Sequence, residues 1–287
     1  MQLQDGATTA GGAAGTEALP ALINGETRLY VIIGDPITQV KSPQVLNPRF
    51  AAARMHAVLV PVHVKPDLFE ETVQGLIAIG NLDGMIATVP YKARIMPFIG
   101  NVLPMAARVG AANALRREAD GSWTGDMFDG RGLIRGLRDA SVALEGRRIM
   151  LVGAGGAGSA VAVALADAGA AAITIFDVDA GKAQALVGRI AAAFPACALR
   201  TGPVQIPGHD TLINATPIGM APEDGLPMAL AGLRPDMLVI DVIHKPGGVT
   251  EFLGQASALG CRTFDGHVML HGQAEELAQF FASGARP

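Results

Sequence analysis

The chain has 287 residues, half of them hydrophobic and only 5% aromatic, with 36 glycines and a formal net charge of −4. That length and apolar content suit two α/β domains of closely packed helices and sheets, while the interspersed charges leave no basic stripe for a nucleic acid. The apolar stretch from Ala160 is broken at Asp167 and Gly169 before it could cross a bilayer, the first cationic side chain is Arg28, and Cys197 and Cys261 lack metal-ligand spacing. A cytoplasmic protein with buried thiols is therefore expected, with no secretory n-region, membrane partner or nucleic-acid partner.

Residues 1–22 are rich in Gly, Ala and Thr without a hydrophobic period, which predicts a mobile tail. From Asn24 onward, apolar runs predict a strand over 29–33, a helix over 43–55, a strand over 57–64, a helix over 66–79, a strand over 84–89 and a helix opened by Pro90, linked by parallel crossovers. Strands over 111–115 and 123–127 flank a polar turn, and Asp129 with Gly130 opens a helix to about Ala140. A second series of strands follows over 148–152, 173–176, 198–200, 211–213 and 237–241, with helices between them. A terminal helix over 268–283 carries apolar Leu270, Ala274, Leu277, Ala278 and Phe281. The expected division is an open α/β domain over 23–129, a doubly wound Rossmann-type domain over 130–260 and a C-terminal segment over 261–287 that closes the hinge onto the first domain, although its pattern equally allows it to cap the second.

The most specific motif is the run Gly153-Ala154-Gly155-Gly156-Ala157-Gly158, set between an apolar strand and a small-residue helix. Gly153 allows a tight turn, Gly155 lets backbone approach a pyrophosphate, and Gly158 lets helix and strand pack closely, with helix N–H groups facing the anion. The next strand ends in Asp177, about 20 residues past the last glycine, where a carboxylate can bind a ribose hydroxyl pair. A purely packing turn would leave that spacing unexplained. In the first domain, chemistry-bearing residues gather after the strands: Gly34-Asp35-Pro36 leading to Lys41-Ser42-Pro43, then Thr88-Val89-Pro90-Tyr91-Lys92, with Asn113 and Asp129 beyond. His267 and His271 are four apart but lack the glutamate and third ligand of a zinc site, so no metal is expected. His56, His63 and His209 fit no ligand spacing.

These segments, together with Gly110-Ala111-Ala112-Asn113, Gly125-Asp126-Met127-Phe128-Asp129-Gly130, Asn214-Ala215-Thr216-Pro217-Ile218-Gly219-Met220 and Asp265-Gly266 running through Met269-Leu270 to Gln273, resemble the shikimate/quinate dehydrogenase family in the same order from about Asn24. The resemblance implies substrate on the first lobe, a nicotinamide coenzyme on the Rossmann lobe, and reversible oxidation of the ring C3 hydroxyl of shikimate or quinate, by a monomer or homodimer. It implies Lys92 and Asp129 as the catalytic pair relaying one proton. Ser42, Thr88, Asn113, His244 and Gln273 fall at substrate positions, and Gly153, Ala154, Gly155, Gly156, Ala157, Asp177, Thr216, Met220, Val242, Gly266 and Met269 at coenzyme positions. Several have structural alternatives: Asp129 or Ser42 as a helix N-cap, Asn113 or Gln273 as a loop tie, Met220 or Met269 as core.

The chain departs from the family pattern at Val40, where a second serine is usual, and at Ile86, where an asparagine is usual; His244-Lys245 stands where Tyr-Asn is common. Each lost hydrogen bond to a charged group is worth roughly 1.5–3 kcal/mol, so a relative of shikimate becomes a candidate substrate unless His244 or Lys245 compensates as a cation. Asp177-Val178-Asp179 stands where NADP-specific members tend to carry Asn-Arg-Thr, and a carboxylate repels a 2′-phosphate, so NAD is expected over NADP. The other readings are the same chemistry on a related cyclic hydroxycarboxylate, and an NAD-binding regulatory protein without turnover.

Overall fold

A computed structural model describes residues 23–221, 223–245 and 248–284. The expected N-terminal tail lies outside them. The chain runs β1 (Arg28–Gly34), α1 (Ser42–Ala52), β2 (Ala57–His63), α2 (Phe69–Ala78), β3 (Leu82–Ala87), β4 (Asn101–Val102), α3 (Pro104–Val109), β5 (Ala114–Arg117), β6 (Trp123–Asp126), α4 (Asp129–Asp139), β7 (Arg148–Val152), α5 (Gly156–Asp167), β8 (Ala172–Phe176), α6 (Ala180–Ile190), β9 (Ala198–Thr201), β10 (Thr211–Asn214), β11 (Leu238–Asp241), α7 (Glu251–Ala258), β12 (Arg262–Phe264) and α8 (Gly266–Ala282). Two six-stranded sheets form, in the orders β2-β1-β3-β5-β6-β4 and β12-β11-β10-β7-β8-β9.

The second sheet is parallel throughout, as crossover helices require. The first is mixed. β1 pairs in parallel with β2 and β3, but β5 runs antiparallel to both β3 and β6, because only a tight turn separates β5 from β6. The parallel crossovers expected for the first strands hold for β1, β2 and β3, and the pair flanking the polar turn adds the antiparallel part.

No helix starts at Pro90. Residues 90–95 form turns, followed by a short 3-10 helix at Met96–Phe98, and the Lys92 carbonyl that a helix would use accepts the Ala112 N–H at 2.8 Å instead. That cross-link seats Lys92 beside the segment entering Asn113. Three other expectations shift: the helix expected from Pro66 begins with a 3-10 turn before α2, α1 ends at Ala52, and the strand expected from Ala111 begins at Ala114. Among the described residues no helix separates β9, β10 and β11, since Pro203, Pro207, Pro217, Pro227 and Pro235 interrupt those stretches. β12, absent from the sequence reading, adds to β11 in parallel; three residues are too short to show a period.

Close helix crossings join the halves. α5 is buried along Gly158 to Ala166, and a Cβ on Gly130 of α4 would strike the Ala160 carbonyl oxygen. α8 crosses α4 where Gly272 faces the Gly132 carbonyl, then delivers Phe281 to the aromatic cluster of the first sheet, 5.0 Å from Tyr30 and 6.1 Å from Phe50 between ring centroids. Gly272→Ala is expected to lower stability by roughly 1–3 kcal/mol, because its methyl meets the α4 backbone at Gly132 and Gly136 and the helices must separate. Thermal unfolding measures this, and an unchanged midpoint refutes the crossing as drawn.

Candidate active site

The carboxyl ends of the two sheets meet where α5 begins. Gly155 is the N-cap of α5, and a Cβ there would face open space, which leaves room for an anion above the first helical N–H groups. Gly153 turns with φ of +106°, and a Cβ on it would lie 2.7 Å from the Ala215 carbonyl oxygen. A Cβ on Gly158 would strike the Gly153 carbonyl oxygen, so strand and helix approach as the motif demands. The Asp177 carboxylate is held by two backbone N–H groups, from Ala154 at 2.7 Å and Asp179 at 2.9 Å. Beside it opens a cleft of about 240 Å³ lined by Ile175, Phe176, Ala180, Ala183, Thr201, Gly202 and Pro203. An open glycine turn, helix N–H groups, an acceptor fixed beside them and an apolar cleft fit the pyrophosphate, ribose and adenine of a nicotinamide dinucleotide.

Under this loop lies a buried polar chain. Lys92 is 9% exposed and Asp129 2%, and Nζ meets Asp129 Oδ2 at 2.5 Å. Asp129 Oδ1 accepts from Asn113 Nδ2 at 2.8 Å, and that same amide donates to Gln273 Oε1 at 3.0 Å. Asn113 Oδ1 accepts the Phe128 N–H at 2.9 Å. Phe128, not Asp129, holds the N-cap position of α4, so the Asp129 carboxylate is not diverted into capping. Asn113 is tied on all sides to protein, whereas Gln273 keeps its Nε2 group outside these bonds. A Cβ on Gly156 would sit 2.8 Å from Lys92 Cβ, so the first turn of α5 rests on the lysine stem. The sequence reading gave Gly156 to the coenzyme alone.

Ser42 is the first residue of α1, with Lys41 at the N-cap, and Thr88 follows β3 with its methyl over Gly34. Val40 packs with Ile37 and Leu270 against the cluster holding Tyr30 and Phe50, an apolar contact where a second hydroxyl was lacking. His244 stacks edge-on against His267 at 4.0 Å between centroids, with both ring nitrogens buried and unpartnered. Its burial, and then His267 and Lys41, hold its pKa below the ordinary histidine value. That direction disfavours His244 as the compensating cation. Thr216 is bound at N and Oγ1 by Asn214 Oδ1, Val242 and Gly266 lie on the adjoining backbone, and Met269 is buried in the core. Met220 donates its N–H to the Pro217 carbonyl at 3.0 Å in the loop after β10. Asp241 and Thr250, not among the expected site residues, complete this region; their only signals are a polar residue ending the apolar strand β11 and a threonine at the N-cap of α7. Among the described residues, no His, Cys, Asp or Glu cluster could hold a metal ion, and no helix is long and apolar enough to cross a membrane.

A two-lobed oxidoreductase with a dinucleotide cradle over a buried lysine–carboxylate couple is the class this fold and site define. A sequence profile for the shikimate dehydrogenase substrate binding domain matches residues 32–115, and one for shikimate / quinate 5-dehydrogenase matches residues 137–222. The shikimate dehydrogenase (NADP(+)) of Rubrobacter xylanophilus is 38% identical over 272 residues, covering 92% of this chain and 94% of the relative. The crystal structure of shikimate dehydrogenase from Aquifex aeolicus superposes with a TM-score of 0.80 at 28% identity, covering 93% of this chain and 96% of that one. Quinate dehydrogenase from Corynebacterium glutamicum in complex with NAD does so at 0.76 and 29%, covering 90% and 94%. The chain belongs to the shikimate/quinate dehydrogenase family.

Proposed function

We propose that this chain catalyses the reversible, nicotinamide-linked oxidation of the ring C3 hydroxyl of shikimate or quinate to the 3-dehydro acid, with NAD preferred over NADP. The buried Lys92–Asp129 couple under the glycine loop carries the reading. A bound nicotinamide supplies the hydride acceptor. Lys92 Nζ, anchored on one side by Asp129, directs its remaining hydrogens at the substrate oxygen and stabilises negative charge as it develops there. In oxidation the couple takes up the hydroxylic proton, and in reduction it returns it to the same oxygen. Asn113 fixes the Asp129 carboxylate, and the free amide group of Gln273 with the Ser42 and Thr88 hydroxyls binds the substrate's polar groups. Residues 23–129 hold substrate, 130–260 hold coenzyme, and 261–287 join the two.

NAD preference rests on Asp177, whose oxygens are pinned to backbone and cannot swing away from a 2′-phosphate. The named NADP(+) relative bears on the family, and the NAD complex of the quinate dehydrogenase shows that a relative accepts the unphosphorylated coenzyme. Apolar Val40 and neutral His244 weaken the grip on a carboxylate and favour a related cyclic hydroxycarboxylate as the second reading. A panel of shikimate, quinate and analogues, assayed for NADH and NADPH formation with Lys92→Ala as control, decides between them. Coenzyme binding without turnover on any of these acids would leave a regulatory protein. A cytoplasmic setting agrees with the two free, buried cysteines.

A further inference from the structure

The residues assigned to the nicotinamide end sit on two loops, one starting at Asn214 after β10 and one at Asp241 after β11. Both starting side chains are 0% exposed. Asn214 Oδ1 accepts the Thr216 N–H at 3.0 Å and its hydroxyl at 2.7 Å, while Nδ2 donates to the Ile218 carbonyl at 3.1 Å and to Asp241 Oδ1 at 3.0 Å. Asp241 Oδ1 also accepts the Ile243 N–H at 3.1 Å, and Oδ2 accepts the Thr250 hydroxyl at 2.7 Å. The braced loops then touch their neighbours: Ala215 packs against Gly153 of the glycine loop, and the Ile243 carbonyl accepts the N–H of Gly266 at 3.0 Å where α8 begins.

We propose that Asp241 is a positioning residue for the coenzyme, holding through Asn214 and Thr250 the two segments that face the nicotinamide at a fixed separation. The proposal rests on reading those loops as the nicotinamide site. Three donors converge on this one side chain, and a carboxylate alone is acceptor only, with charge-assisted bonds to each. An amide at 241 would turn a donor toward one of them. Burial pushes the Asp241 pKa up to about 6, with the facing Asp265 adding to the rise while Thr250, the Ile243 N–H and Asn214 oppose it. Above that pH the three bonds are complete. Below it the carboxyl carries a proton, one oxygen becomes a donor, and the brace to Thr250 must reorganise.

Isothermal titration of coenzyme into the full chain between pH 5 and 8 tests this, with Asp241→Asn, Thr250→Val and Thr250→Ser beside the wild type. Wild-type Kd is expected to weaken about tenfold as pH falls through 6, the worth of one hydrogen bond to a charged group. Asp241→Asn should bind about tenfold more weakly at pH 7.5, with no further loss on acidification. Thr250→Val removes a donor that holds the pKa down, so its weakening should begin at higher pH, and Thr250→Ser should restore the wild-type profile. In steady state the change should fall on KM for the coenzyme more than on kcat. Wild-type Kd and pH dependence in both Asp241→Asn and Thr250→Val, whatever their thermal stability, overturns the proposal alone. A wild type that binds neither NAD nor NADP overturns it together with the coenzyme assignment.

Discussion

Lys92→Ala is expected to lower kcat by about 10²–10⁴-fold in both directions while leaving coenzyme affinity near that of the wild type, because the truncation removes the proton relay and the positive end of the couple but not the cradle above it. The structure adds a second consequence. Asp129, 2% exposed, keeps Asn113 as its donor but loses its counter-ion, and breaking a buried pair from one side costs about 3–5 kcal/mol. Thermal unfolding should therefore fall together with activity, and kcat must be referred to the fraction that still binds coenzyme. Asp129→Asn keeps the shape and the contact with Asn113 but strands the Lys92 ammonium, so it should lose kcat with less loss of substrate affinity. A Lys92→Ala enzyme within threefold of wild-type kcat would remove the couple from the mechanism.

Asp177→Asn combined with Val178→Arg is expected to raise the ratio of kcat/KM for NADP to that for NAD by about 10²-fold or more. Two unit charges about 5 Å apart at an effective dielectric near 20 repel by about 3 kcal/mol, which is two decades, and a phosphate carries more than one. Val178 is 91% exposed and follows the cleft-lining Asp177, so an arginine there needs no repacking. Asparagine still has one oxygen to accept the Ala154 N–H, which keeps the glycine loop anchored. The measurement is steady-state kinetics with both coenzymes at fixed substrate. An unchanged ratio would mean that Asp177 serves the loop and not the choice of coenzyme.

How far the sequence reached depends on the range of the interaction that decides each feature. The glycine turn, the strand before it and Asp177 after the next strand lie within one βαβ unit, and their backbone demands are local. Lys92, Asn113 and Asp129 stand out after the strands of the first domain, but their roles, and Gln273 altogether, come only through ordered resemblance. That Asn113 is tied to Asp129, Gln273 and the Phe128 N–H depends on segments up to 160 residues apart. The helix expected at Pro90 fails for a similar reason, since the Lys92 carbonyl is taken by Ala112. Of the two possible compensating cations, His244 is disfavoured because desolvation and nearby positive groups hold its pKa down, and neither is visible from its neighbours in sequence.

By itself the sequence determined the α/β alternation, the glycine turn with the carboxylate after the next strand, and the family, because turn geometry, hydrophobic period and motif order are properties of contiguous residues. Only the tertiary structure decided the mixed first sheet, the seating of Gly156 on the Lys92 stem, the return of α8 to the aromatic cluster around Tyr30, and the Asn214–Asp241–Thr250 brace. Each of these arises where a backbone or a buried charge finds its partner across the fold, and burial sets both the strength of such a contact and the ionisation of the groups that make it.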